Sequence, residues 1–405
     1  MKRALAIRRA LAGLLLLTGA CTRDVELLPG RAGAPPGDAA GDGAAGDAGA
    51  GPACLGLGEP IRLDVRGTEE CAGAVAARAH RYALCSCAGL DAPQPLRTDS
   101  FDSTGLLPGG VGAAAVGAGA SVSAAGALTI GGALYAAGSA DLSGGAGVAE
   151  SLRLGGELAA EAVPVEVGGD AFVGGDVSGP VAVTGTLHVP LGSTVEPEVA
   201  AAAVVREAVI VPDPCACATL AHPDPAALAA ATAARNDDAA IGLASDALGV
   251  VVAPTALDLP CGRFYLTAID AAAPVTLRVH GRALLAVAGD VALRGDLAVT
   301  LDPGAELDLV VGGSITATGE RVLGAPAAPA RLRLWVGGEV TLEGRTTVGA
   351  VVHAPRGRVS APQGAELSGS LLAGEITAGA VTVHYDLAIL SGGVVCGVPA
   401  SPAVH

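Results

Sequence analysis

The chain has 405 residues and a formal net charge of −16, which becomes −20 once the leader residues Lys2, Arg3, Arg8 and Arg9 are removed. So acidic a surface repels nucleic acid and anionic lipid head groups, and nucleic acid is not expected as a partner. Hydrophobic residues make up 51% of the chain alongside 60 glycines and 26 prolines, a balance that excludes a wholly disordered protein, since disorder goes with few apolar residues.

Residues 1–20 read as an export signal. A basic start precedes the short apolar run Ala10 to Leu17, too short to span a bilayer, and the run ends in Leu17-Thr18-Gly19-Ala20-Cys21. Small residues before a cysteine are the bacterial lipoprotein pattern, with Thr18 standing where leucine is more usual. Cys21 is therefore the expected lipid attachment point, and the membrane is an expected partner through that lipid. Thr22 follows it in place of the aspartate that signals inner-membrane retention, which points to the outer membrane. Residues 21–52 form the expected tether. The stretch Gly37 to Gly51 is made only of Gly, Ala and Asp and has no apolar periodicity. Its Gly41-Asp42-Gly43-Ala44-Ala45-Gly46 matches G-x-G-x-x-G formally but lacks a preceding strand and a following helix.

With Cys21 lipidated, eight cysteines remain: Cys54, Cys71, Cys85, Cys87, Cys215, Cys217, Cys261 and Cys396. An even number in an exported chain points to disulfides, and the spacing alone fixes no connectivity. The two C-x-C pairs, Cys85/Cys87 and Cys215/Cys217, offer a competing four-thiolate zinc reading, although zinc motifs more often space their cysteines by two residues. Residues 53–104 are expected to be a cysteine-rich lead-in, with one helix over Ala74 to Leu84.

From 105 onward, short apolar alternations are broken by Gly-Gly steps. Ile130-Gly131-Gly132-Ala133-Leu134 and Leu154-Gly155-Gly156-Glu157-Leu158 lie 24 residues apart, and similar steps recur at Gly289, Gly313 and Gly338. Period-2 alternation gives one face in and one face out, and a repeat of 20 to 30 residues means stacked units. The fold expected is all-β: a β-solenoid of roughly 24-residue coils, about ten of them in a rod on the order of 50 Å long, with φ above zero at the fixed glycines. The solenoid falls into two parts, 105–210 and 250–390. A helical, Cys-flanked insert at 211–249 separates them, and 391–405 is a tail. Within the insert, Asp224 reads as an N-cap with Pro225 at the first helical position, Ala226 to Ala240 as the helix, and Gly242 or Gly249 as its end. An immunoglobulin-like array is disfavoured because Trp335 is the single tryptophan.

Residues 210–390 resemble an uncharacterised family of Gram-negative surface lipoproteins whose solenoid domain also occurs in some pilus-assembly proteins. The resemblance rests on Leu259-Pro260-Cys261-Gly262-Arg263-Phe264-Tyr265-Leu266, Gly349-Ala350-Val351-Val352-His353-Ala354-Pro355, Gly369-Ser370-Leu371-Leu372-Ala373-Gly374-Glu375-Ile376 and Val383-His384-Tyr385-Asp386. It implies fold and location and brings no activity.

No catalytic, cofactor or metal motif stands out. There is no G-x-S-x-G elbow or H-E-x-x-H helix, and no lysine beyond Lys2 for a P-loop. Gly144 to Ala149 nearly matches a calcium β-roll repeat, but Ala149 occupies the carboxylate position. A polysaccharide-acting enzyme would draw on Asp302, Glu306 and Asp308, or on Asp386 with His384 as its partner. The structural alternative has Tyr385 covering core and Asp386 capping backbone amides where the last coil ends. Asp237 and Asp238 read as a solvated helix end. The resulting expectation is a lipid-anchored envelope protein with a scaffolding role and no catalysis, associating with itself or with an envelope protein. A module binding glycan or a pilus component comes second and an enzyme third.

Overall fold

The computed structural model describes residues 56–105 and 114–392; Cys21, the 22–52 tether, Cys54 and Cys396 lie outside them. The described chain is a β-solenoid of about 14 turns. At the usual strand spacing, that makes a rod roughly 65 Å long, longer than the ten coils expected.

Each coil contributes one short strand to each of three sides, and every strand pairs in parallel with its counterparts above and below. On side 1, Val275–Val279 lies between Thr255–Leu259 and Leu297–Leu301. On side 2, Arg282–Val287 lies between Gly262–Leu266 and Glu306–Val311. On side 3, Val291–Leu293 lies between Ile269–Ala271 and Ile315–Thr318. Alternate residues point inward: Val275, Leu277 and Val279 are buried, as are Leu297 and Val299 above them. A single coil is too thin to enclose these side chains, so the core exists only through stacking.

The two parts of the rod differ in coil length. In the second part Val291, Ile315 and Val340 stack at the expected offsets. In the first part Leu134 stacks on Leu152, eighteen residues away, rather than on Leu158. There each side takes six residues, and Leu128, Leu134, Ala140, Ala146, Leu152 and Leu158 all point inward in turn. The offset of 24 seen in the sequence is thus four sides, one more than a coil.

Positive φ is found, as expected, at the corner before side 1, in Gly145, Gly179, Gly319 and Gly344, but the Gly-Gly corners are there for a different reason. Gly155, Gly174, Gly312 and Gly337 do not have positive φ. A Cβ on Gly155 would sit 2.1 Å from the Ala137 carbonyl oxygen, and one on Gly174 would sit 2.3 Å from that of Gly155. The Gly-Gly corners are therefore glycine because the neighbouring coil's backbone passes too close for any side chain.

The order of coils in space is not their order in the sequence. Val381–Asp386 occupies side 1 between Ala365–Gly369 and Leu96–Phe101. Sides 2 and 3 of that same coil are supplied by Leu84–Ser86, between Leu371–Ala373 and Val116–Ala118, and by Leu90–Asp91, between Ile376–Thr377 and Val122–Ser123. One coil is thus made from two segments some 300 residues apart in the chain. The stack runs from residue 251 to 386, continues at 84, and ends at Arg206. The lead-in expected over 53–104 accordingly divides: 84–101 belongs to the solenoid, and only a hairpin (Arg62–Val65 with Thr68–Cys71) and helix α1 (Ala72–Ala79) precede it. Helix α1 stops at His80, short of the expected Leu84, because Leu84–Ser86 is drawn into strand pairing.

Residues 207–250 connect the far end of the stack back to its beginning. They carry α2 (Pro225–Ala234), with the Asp224 carboxylate accepting the Ala226 and Ala227 amides and Pro225 at the first position, as expected. The single helix expected to Ala240 breaks at Arg235. A short α3 (Asp238–Ile241) follows and ends on left-handed Gly242. The break lets both acids reach strand Gly262–Leu266: Asp237 accepts the Arg263 amide and Asp238 that of Tyr265. Neither is a merely solvated helix end, and burial raises the Asp238 pKa, the Tyr265 amide opposing and Asp237 adding to the rise.

Two disulfides, Cys85–Cys215 and Cys87–Cys217, fasten the returning segment to the composite coil, which overturns the zinc reading of these four cysteines. Cys71 and Cys261 are also disulfide-bonded. Each C-x-C bridge closes a span of 130 residues. On the chain-entropy estimate the first closure is worth about 5 kcal/mol, and the second, closing only a few residues more, about 2 kcal/mol. Replacing either pair by alanine should therefore cost about 2 kcal/mol, and replacing both about 7 kcal/mol. Denaturant unfolding of the two single-pair variants and the double-pair variant checks this, and equal, additive losses would contradict it.

Candidate functional site

The outward residues of side 2 form one column along the rod. It begins Tyr265, Ala286, Val310, Trp335, His353 and Leu372. It crosses the composite coil at Cys85 and continues through Gly117, Tyr135, Arg153, Phe172 and His188 to Val205. In a chain with 2% aromatics, this column holds the only tryptophan and several of the other rings. Its two halves differ, because other segments cover the first and leave the second half-exposed.

In the covered half, Ala286, Val310, Trp335, His353 and Leu372 are all buried. Helix α2 packs on strands Gly262–Leu266, Arg282–Val287 and Glu306–Val311, while His80 and His222 close over His353. Beside the column lies a buried ion pair. Arg333 donates Nε to Asp308 Oδ1 at 2.7 Å and a terminal nitrogen to Asp308 Oδ2 at 2.8 Å. The same nitrogen reaches Glu306 at 2.6 Å, and Trp335 Nε1 donates to Asp308 at 2.8 Å. Burial opposes the Arg333 charge, but the Asp308 and Glu306 carboxylates outweigh it and hold its pKa above the ordinary value. Both Asp308 oxygens and one Glu306 oxygen are engaged by structural donors, so the pair braces the column.

Three histidines from distant segments form a hydrogen-bonded chain. Ser370 Oγ donates to the Tyr82 carbonyl at 2.7 Å, and His80 Nδ1 lies 3.0 Å from that Oγ. His80 Nε2 meets His353 Nδ1 at 3.2 Å, His353 Nε2 meets His222 Nδ1 at 3.1 Å, and His222 Nε2 faces the Cys217 carbonyl at 3.3 Å. The chain ends on a carbonyl at both extremities and has five links. One hydroxyl and three neutral imidazoles supply four protons, so one link lacks a proton. With Ser370 donating outward, the missing proton falls on one of the four links beyond it, the ring tautomers deciding which.

Burial is the main reason these rings stay neutral. It lowers the His80 pKa from 6.5 to about 3, helped by His222. Burial, with His80 and His222, takes that of His353 well down. His222 is lowered by burial, with the Cys217 carbonyl opposing and Arg66 and Arg356 assisting.

In the half-exposed half, Tyr82 meets Tyr135 edge-on at 5.7 Å, Arg153 lies 4.4 Å over the Phe172 ring, and Phe172 stacks on His188 at 4.3 Å and 9°. Phe172 thus has one face on Arg153 and the other on His188. Such a ladder stabilises successive coils and turns ring edges, rather than faces, to solvent.

Of the residues considered for catalysis, the structure brings Glu306 and Asp308 together on Arg333 and leaves the others apart. Asp302 sits at the surface, 2.9 Å from His280, while Asp308 is buried against Arg333. His384 points to Asp99 at 2.6 Å and Glu366 at 3.4 Å. Asp386 turns the other way and accepts the amides of Ser103, Ala330 and Ala388. The expected capping role of Asp386 is what the structure shows. Tyr385 is buried in the core and donates to the His80 carbonyl, at a coil that continues rather than ends. Among the described residues no group of three or more His, Cys, Asp or Glu could hold a metal ion. Sequence reasoning missed the histidine chain, whose members lie 273 and 131 residues apart. The one available signal was a histidine inside the apolar run Gly349 to Ala354.

These features define a β-solenoid protein with a covered, braced side. Residues 221–391 match a domain of unknown function (DUF7305). No curated protein and no solved structure matches the chain.

Two outcomes follow. Asp308→Ala leaves Arg333 with Glu306 alone and strips the Trp335 N–H of its acceptor, so it should cost about 3–5 kcal/mol, whereas exposed Asp302→Ala should stay within about 0.5 kcal/mol; urea unfolding measures both. The depressed histidine pKa values set a pH dependence. The unfolded chain takes up protons near pH 6.5 that the folded chain refuses until near pH 3 at His80, so stability is full above pH 6.5 and lost below it. Each buried ring contributes a slope of roughly 1.4 kcal/mol per pH unit. Between pH 6.5 and 5, His353→Gln should flatten the fall in stability, and an unchanged slope would rule the histidine chain out as its source.

Proposed function

We propose that the protein is a non-catalytic scaffold of the cell envelope, held at the outer membrane through a lipid on Cys21, with its solenoid as a stand-off rod. The observation that carries this reading is the rod's polarity. The described chain starts beside an early coil: the Leu57 and Gly58 carbonyls accept from Arg282, and Leu57 lies against Gly304. The stack's last strand, Ala200–Arg206, lies at the opposite end. A tether through residues 21–52 would therefore join the stiff rod near one end rather than along its length. The kinship expected with surface lipoproteins, and with solenoid domains of pilus-assembly proteins, fits the same placement.

A second reading, a module that binds glycan or a pilus component, is favoured by the half-exposed column of Tyr135, Arg153, Phe172 and His188, with Tyr82 edge-on to Tyr135. The stacking of Phe172 between Arg153 and His188 counts against sugar stacking there, because a sugar needs a free ring face.

The mature lipidated protein, reconstituted in vesicles and labelled with a fluorophore at Ala203 or at Val252, tests the scaffold reading. Quenchers in the bilayer should affect the Val252 label more than the Ala203 label, and Cys21→Ala should release the protein from membranes. Equal quenching, or membrane retention of Cys21→Ala, would overturn it.

A further inference from the structure

The two ends of the solenoid are finished differently. At the first end the edge strand Gly262–Leu266 is closed: the Asp237 and Asp238 carboxylates take the Arg263 and Tyr265 amides, and the Ser245 carbonyl takes that of Thr267 at 2.7 Å. The Leu248 carbonyl takes the Asp270 amide at 2.9 Å. Leu248 and Val251 are buried there, and Ile241 and Leu243 pack against the core. The donors that a further parallel strand would need on sides 2 and 3 are already used, whereas on side 1 Thr255–Leu259 pairs only with Val275–Val279 among the described residues.

Among the described residues the last end has no such covering. Strand Ala200–Arg206 pairs with Val181–Val189 on one edge, and among the described residues no strand pairs with the other. Its residues are nearly all exposed. Val204 stacks on Leu187, which is fully buried in the inward column, yet Val204 itself is 48% exposed. Val195, Val199 and Ala201 pack on the core from the same last turn, and Leu191 beside them is 85% exposed. The end is therefore an open cross-section of the hydrophobic core, rimmed by a free strand edge. Such an edge recruits another strand unless it is blocked.

We propose that this end is an interface for a second copy of the same chain, joined tail to tail about a two-fold axis. Head-to-tail growth needs matching open edges at both ends, and at the first end only side 1, strand Thr255–Leu259, offers one, sides 2 and 3 being closed. A two-fold contact needs only the last end, and it closes on itself. The strand suits it. Antiparallel pairing centred on Ala203 places Ala202 opposite Val204, and Arg206 opposite Ala200. Small side chains thus meet at the axis, and each Arg206 comes two residues from the exposed Glu198 of the second copy. The two cores would then run on as one, covering Val204 and Leu191.

The inference does not depend on the lipid anchor, and the test removes it. The full chain carrying Cys21→Ala is followed by analytical ultracentrifugation over a concentration series, and by a short bis-maleimide on Ala203→Cys or Val252→Cys. The expected result is a dimer and no larger species, a cross-linked dimer from Ala203→Cys, and little from Val252→Cys at the closed end. Val204→Lys sets two ammonium groups into the joint and should leave a monomer with unchanged far-UV circular dichroism. A monomer at every concentration, filaments, or cross-linking through Val252 as efficient as through Ala203 would each overturn the proposal. A Val204→Lys chain that is folded and still dimeric would do so too.

Discussion

Everything in this molecule depends on the fact that no coil can bury its own apolar residues. A turn of some twenty residues with one strand per side has an inside only two or three side chains wide. Leu277 and Val279 are removed from water by the coils above and below them as much as by their own turn. Two consequences follow. The stack must be unbroken along its length, and each of its ends must be either covered or left as an open core. The composite coil, with Val381–Asp386 on one side and Leu84–Asp91 on the other two, meets the first requirement at the one place where the polypeptide itself is interrupted.

That interruption explains where the unusual side chains are. A join between segments so far apart in sequence has no chain connectivity to hold it. It is held by two disulfides, by the Tyr385 hydroxyl on the His80 carbonyl, by the three capping bonds of Asp386 and by the histidine chain. Leaving one link of that chain without a proton is cheaper than charging a ring inside the apolar seam, because desolvation of an imidazolium outweighs one missing hydrogen bond. The Asp308–Arg333 pair follows a similar logic. A buried ion pair adds little net stability over an apolar pair, but it fits only one register of the coils that supply it, since a slip by one residue would bury each charge alone.

The fold class was legible because period-2 alternation and recurring glycines follow directly from inward-facing strands and tight corners. The coil length in the first part was not. With six residues per side, every multiple of six aligns apolar residues with apolar residues, and nothing local distinguishes Leu134 over Leu152 from Leu134 over Leu158. The N-cap at Asp224 and the bond from the Ala388 amide to Asp386 were readable because both act within a few residues of themselves, whereas the Ser103 and Ala330 amides on Asp386 come from distant segments. The break in the helix at Arg235 was not, because its cause, the pull of Asp237 and Asp238 on the amides of Arg263 and Tyr265, lies a whole coil away. The exchange of order along the rod has no local signature at all. It follows from which strand edge the segment at 84 finds, and only the assembled stack decides that.

The extent of the matched domain sharpens this point. Residues 221–391 begin at the segment that closes the first end and stop just past Asp386, where the composite coil has one of its three sides. Taken alone, that stretch would be closed at one end and unfinished at the other, with the strand Ala365–Ala378 exposed over two sides. The segment 84–206 supplies the missing sides and then further coils, so it transfers the unfinished edge to Ala200–Arg206 without abolishing it. Adding coils to a solenoid can move an open end but cannot remove it, because each added coil presents the same edge as the last. Only a different kind of element, such as the turn around Asp237 and Leu248, can terminate the stack. Among the described residues such an element stands at one end alone, and the residues after Arg206, instead of folding over the other end, run back along side 2 to build it.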